Sequence, residues 1–137
     1  MLDTNVLSAL MQDVPEAAVV RWLDRQPPTQ FWTTAVSVFE IRFGLSRLSA
    51  GRKRQQLEIA FNHLLGDDLA GRVAAVDRAA ADAAGVLAGR REAAGRTIDV
   101  RDTLIAGIAI ARGAGIATRN VRHFADLEVQ LLDPWLD

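Results

Sequence analysis

An α/β sandwich with a mostly parallel central sheet is the fold class this sequence predicts, on three observations. Short runs rich in Val, Ile, Thr and aromatic residues alternate with longer stretches whose apolar residues recur at helical spacing. Helix-start and helix-stop residues punctuate these stretches, and no linker, repeat or low-complexity segment interrupts them. Half of the 137 residues are hydrophobic, enough apolar surface for one core, so a single domain over residues 1–137 is expected.

Met1-Leu2-Asp3 is a short first strand, followed by a helix through Val6, Leu7, Leu10 and Met11. Asp13 before Pro15 is the start signal of a second helix, whose apolar face is Ala18, Val19, Trp22 and Leu23 and which Pro27-Pro28 ends. Phe31 to Val36 carries the aromatic, Thr and Val content of a strand. Ser37-Val38-Phe39-Glu40 has the form of a capping box opening a helix to about Leu48. From Gly51 to Leu65 a basic start leads into an amphipathic cover helix with Leu57, Phe61, Leu64 and Leu65 on one side. Val73 to Val76 is a short buried strand, and Asp77 caps an alanine-rich helix that ends at Gly95. Asp99 to Asp102 opens a last helix, apolar on nearly all sides through Leu104, Ile105, Ile108 and Ala109, and therefore buried. Ile116 to Thr118 is a strand, and Val129 to Leu132 a final edge strand before Pro134.

The chain has no cysteine, which excludes disulfides and thiolate metal sites. No run of about 18 apolar residues and no basic-then-apolar leader pattern is present, so a cytoplasmic protein with no membrane role is the expectation. A net charge of −1 excludes a body that coats nucleic acid; any such contact must be local.

In parallel sheets ligands gather outside the carboxyl ends of the strands. Asp3 follows the first strand, Glu40 the second, Asp102 opens a helix, and Thr118 to His123 follows a later strand, so one edge can collect all of them. Three carboxylates brought together either share a proton or bind a hard divalent cation such as Mg²⁺ or Mn²⁺. Each acid also has a local structural role: Asp3 as a helix cap, Glu40 as the third residue of a capping box, Asp102 as a first-turn acid.

Leu2-Asp3-Thr4-Asn5-Val6-Leu7, Ser37-Val38-Phe39-Glu40-Ile41 with Gly44, Asp102-Thr103-Leu104-Ile105-Ala106 with Ala109, Thr118-Arg119-Asn120-Val121-Arg122-His123-Phe124 and Asp133-Pro134-Trp135 occur in that order across nearly the whole chain. Together they resemble the PIN-domain family, most of all the VapC and FitB type toxins of bacterial toxin–antitoxin pairs. The resemblance implies a three-layer α/β/α sandwich and a Mg²⁺- or Mn²⁺-dependent endoribonuclease with Asp3, Glu40 and Asp102 as catalytic and metal-binding acids. It further implies an RNA substrate, a cognate antitoxin and a homodimer. The chain departs from the family pattern at the fourth acid: Asn120 and His123 stand where one is common, which puts a second metal ion in question, and nearby Asp126 is a possible substitute.

Asn5, Thr118, Arg119, Asn120 and Arg122 lie beside the acids and are the candidate substrate contacts; Arg42, Arg47, Arg52, Lys53 and Arg54 read instead as a solvated face. Two alternatives remain open. One is a PIN-like binding or scaffold module impaired by loss of the fourth acid. The other is a haloacid-dehalogenase-like phosphatase using the strand-end Asp3, although Asn5 replaces its general acid and Lys53 is its only lysine.

Overall fold

The computed structural model describes residues 1–137 and places a thin parallel sheet between two helical layers. Two strand pairs are formed: β1 (Thr33–Thr34) with β2 (Val73–Ala74), and β3 (Ile116–Ala117) with β4 (Leu131–Leu132), both parallel. The segment Met1–Asp3 stitches the pairs together. Leu2 N donates to Trp32 O at 2.8 Å on one side, while Ala117 N donates to Met1 O at 2.8 Å and Asp3 N to Ala117 O at 3.0 Å on the other. Spatially the order is thus β2, β1, the amino-terminal segment, β3, β4.

Side chains of a strand alternate between faces, and here that alternation divides the core in two. Leu2 and Ala117 join one apolar cluster with Val6, Leu7, Trp22, Phe31 and Phe61, whereas Met1 and Ile116 join another with Leu87, Ile105, Ile108 and Phe124. The first layer is α1 (Thr4–Leu10), α2 (Ala17–Asp24) and α4 (Arg52–His63), with α3 (Ala35–Ser46) crossing toward the second. The second is α5 (Arg78–Ala93) and α6 (Val100–Arg112). These two helices approach so closely that a Cβ on Gly107 would meet Ala80 O at 2.5 Å, which only glycine avoids. The expected sandwich is formed, and no helix is long and apolar enough to cross a membrane.

Caps decide several boundaries. Asp77 accepts from Ala80 N at 2.9 Å and Gly95 turns the chain at φ 75°, as the sequence predicts. The start of α3 differs from expectation. Thr34, not Ser37, is the cap: its hydroxyl accepts from Ser37 N at 3.0 Å, so the predicted strand stops at Thr34 and Ser37 is buried one turn inside the helix. The physical reason is that Thr34 is both the last ladder residue and an oxygen donor-acceptor of the right length, so strand and helix abut without a loop. Asp13 likewise does not open α2, which begins at Ala17 after Glu16; its carboxylate lies 3.8 Å from Lys53. The Gly51 to Leu65 helix is more than a cover, since Phe61 is fully buried in the first cluster.

Candidate active site

The carboxyl ends of the Met1–Asp3 segment and of β3 open into a cleft of about 490 Å³. Asp3, Glu40 and Asp102, separated by tens of residues in sequence, all line it, with Thr4, Asn5, Ser8, Arg119, Asn120 and Trp135. Strand-end and helix-start positions and the motif resemblance singled out these three acids; the parallel topology is what brings them to one cleft.

Asp3 is 5 % exposed and caps α1. One carboxylate oxygen accepts from Thr4 N at 2.8 Å; the other accepts from the Thr118 hydroxyl at 2.7 Å and the Asn5 amide at 3.2 Å. The cap role and the site role therefore coincide. All three partners are neutral donors, so burial dominates and pushes the Asp3 carboxyl above its ordinary value, with the charge of Asp102 adding to the push and the hydrogen bonds opposing it.

Glu40 stands on the second turn of α3. Its Oε1 accepts from the Thr4 hydroxyl at 2.9 Å, and its Oε2 lies 3.7 Å from the Arg101 guanidinium, too far for a tight pair. Burial again raises its pKa; Thr4 and Arg101 oppose this, while Asp3 and Asp102 reinforce it. Asp102 sits in the first turn of α6, its N–H bonded to the Asp99 carboxylate at 3.1 Å, and its own Oδ2 lies 2.7 Å from His123 Nδ1. Thr4 and Arg101 were missed by the sequence reading, although each is the immediate neighbour of a singled-out acid. Glu16, at the start of α2, is a further missed acid on the cleft wall.

Several expected contacts take other roles. Thr118 is fully buried, its hydroxyl donating to Asp3 and accepting from Asn120 N, and it is absent from the cleft lining. Asn5 spends its amide on Asp3 and Thr118 and its oxygen on Arg119 N, bracing the two strand ends against each other. Arg119 and Asn120 are exposed on the cleft wall. Arg122 is exposed but does not line the cleft, because the short helical turn over Val121–Phe124 rotates it away. Asp126 cannot stand in for a fourth acid. Arg91 grips both its oxygens at 2.8 Å and Arg96 reaches it at 2.8 Å, which holds its carboxyl down at about 2. Lys53 is on α4 and not in the cleft, so the phosphatase alternative lacks its lysine.

The acids do not form a ready-made cage in which three acidic or histidine side chains converge on one point. The donor set nevertheless suits a hydrated hard cation: Mg²⁺ keeps several waters and takes only one or two protein carboxylates. Asp3, Glu40 and Asp102 supply oxygen donors whose mutual repulsion a divalent ion would relieve.

A family model described as PIN domain matches residues 1–129. The chain is 35 % identical to the VapC ribonuclease Y4jK of Sinorhizobium fredii over 98 % of this chain and 96 % of that protein. It is 29 % identical to the toxin FitB of Neisseria gonorrhoeae, covering all of this chain and 99 % of that one. Among solved structures it superposes on a chain of FitAB bound to the IR36 DNA fragment with a TM-score of 0.86 at 29 % identity, over 98 % and 94 % of the two chains.

Proposed function

The chain belongs to the PIN-domain family, and from that premise we propose that it is the toxin of a toxin–antitoxin pair, a Mg²⁺- or Mn²⁺-dependent endoribonuclease working in the cytoplasm. The observation that carries this reading is the shared cleft: Asp3, Glu40 and Asp102, from three separate elements, line one opening, and no lysine or arginine pairs tightly with any of them. Full-length similarity to a VapC ribonuclease and to FitB supports the same activity class.

Asp3, Glu40 and Asp102 would hold the ion, which when bound supplies an acidified water and a polarised phosphoryl oxygen. The protein does the rest. Asn5 and Thr118 lock the Asp3 carboxylate so that it cannot swing out of the cleft. Thr4 does the same for Glu40, and His123 for Asp102. Burial makes Asp3 and Glu40 hold protons more tightly than free carboxylates, so loading of the cation releases protons and its affinity rises with pH. Arg119 offers the positive charge that an RNA strand needs beside four acids.

A cognate antitoxin that blocks the cleft, and a homodimer, complete the proposal. Their support is an exposed apolar strip on α3, where Phe39 and Phe43 stack at 6.0 Å and Leu48 continues the line beside Glu40 and Arg101. The missing fourth acid keeps a binding-only module as the second reading, with Asn120 and His123 in its place. Calorimetric titration with Mn²⁺ and cleavage of a mixed RNA pool separate the two. Ion binding with cleavage, both lost in Asp3→Asn, is the expected result. A folded chain that binds neither ion nor releases fragments would sink the nuclease and leave the module.

A further inference from the structure

Four carboxylates line the cleft, those of Asp3, Glu16, Glu40 and Asp102, against a single cation, Arg119. An RNA strand must bring its phosphates past this wall, so where the one positive charge sits decides how the strand lies. The guanidinium carbon of Arg119 lies 5.2 Å from the centroid of the Trp135 ring, which also lines the cleft. Its side chain makes no ion pair, unlike Arg91 and Arg96, which Asp126 occupies. Its fork of donors makes no hydrogen bond or ion pair within the chain, and an uncommitted guanidinium fork suits a phosphate.

The pair is held rigidly. Arg119 lies two residues beyond β3 and Trp135 three beyond β4, and these strands are neighbours in register, Ala117 opposite Leu132. Thr118 N donates to Leu132 O at 2.9 Å, Arg119 N to the Asn5 side chain at 3.1 Å, and Trp135 N to the Asp133 carboxylate at 3.0 Å. Trp135 also keeps its indole Nε1 buried with no hydrogen-bond partner. A phenylalanine would leave no orphaned donor, and the indole brings what a smaller ring would bring less of, a ring face that is the strongest partner for a cation.

We propose that Arg119, laid on Trp135, is the phosphate grip of the cleft, fixing the backbone of single-stranded RNA beside the acids, with Trp135 as the positioning residue for the guanidinium. This rests on the ribonuclease reading. It assigns Arg119 to ground-state binding of the strand and not to the chemical step.

The test measures binding of a fluorescent 2′-O-methyl oligoribonucleotide, which resists cleavage, across a salt series with Mg²⁺ present. Arg119→Ala weakens binding about 10-fold and lowers the magnitude of the log–log salt slope by about 0.7, one single-strand phosphate contact. Arg119→Lys restores the slope but not the full affinity, and Trp135→Phe stays closer to wild type than Trp135→Ala. In cleavage assays Arg119→Ala raises KM several-fold with kcat within about twofold. Because Arg119 is exposed, its variant folds even where Trp135→Ala does not. An unchanged slope in Arg119→Ala overturns the grip even if wild type cuts RNA, and so does a loss confined to antitoxin binding. A slope loss in Arg119→Ala, where the wild type binds the strand but cuts nothing, supports the grip and removes the nuclease.

Discussion

Asp3 and Asp126 are both carboxylates that follow a strand, Asp3 directly and Asp126 after the turn over Val121–Phe124, yet their surroundings are opposites. Asp3 is buried among neutral donors, and burial raises its pKa. Asp126 is more open, 28 % exposed, but two guanidiniums clamp it and hold it at about 2. The difference separates a carboxylate left without a cationic partner from one spent on structure, which is what the proposed ion site requires of Asp3. A charge without a permanent partner is tolerated where something else will neutralise it, whereas a charge with two arginines has already been used. Arg91 in turn donates to His123 O at 2.9 Å and reaches the Thr103 hydroxyl at 3.4 Å. The Asp126 cluster thus braces the segment that presents Asn120 to the cleft and His123 to Asp102.

The comparison breaks most visibly under Asp3→Asn or Asp102→Asn. Either is expected to cut RNA cleavage by about 1000-fold, about 4 kcal/mol of transition-state stabilisation, while the thermal melt and circular dichroism keep the folded signature. Equal losses of fold and activity would mean that Asp3 is as structural as Asp126. Next in size, Arg91→Ala leaves Asp126 with only the half-exposed Arg96 and is expected to cost about 2–3 kcal/mol of stability in urea unfolding. Kinetic loss without that destabilisation would place Arg91 in the site after all.

His123→Ala sharpens the contrast from the other side. It frees the Asp102 carboxylate from its 2.7 Å partner and is expected to weaken Mn²⁺ binding about 10-fold by calorimetry, with little change in melting temperature. The smallest effect is in pH. Because the folded pKa of Asp126 lies below its unfolded value, its contribution is full above about 4 and is lost as pH falls toward 2. Asp3 has the opposite sign: its folded pKa is raised, so acidification relieves a cost instead of removing a benefit. The stability gap between wild type and Asp126→Asn, about 1 kcal/mol at neutral pH after solvent screening, should therefore close between pH 4 and 2 in metal-free denaturation curves. A gap that persists at pH 2 would contradict the clamp.

The helices were legible because their signals are local. Asp77 and Gly95 bound α5, Asp99 and Gly113 bound α6, and the run from Thr103 to Ala109 is buried as its apolar character required, except for the half-buried Leu104. The strands were less so, since a two-residue ladder is defined by partners far away in sequence. Thr34 shows this directly: one residue ends a strand and caps a helix, and nothing local tells it from Ser37.

By itself the sequence determined the α/β alternation, the apolar layers and which acids occupy strand ends and helix starts, because propensity, periodicity and capping act over a few residues. Only the tertiary structure decided the fate of each charge. Asp126 met Arg91 and Arg96, Arg122 turned from the cleft, Thr118 was buried against Asp3, and Arg119 came to rest on Trp135. Those outcomes depend on distances between residues remote along the chain, and electrostatic energy follows distance and burial, not sequence order.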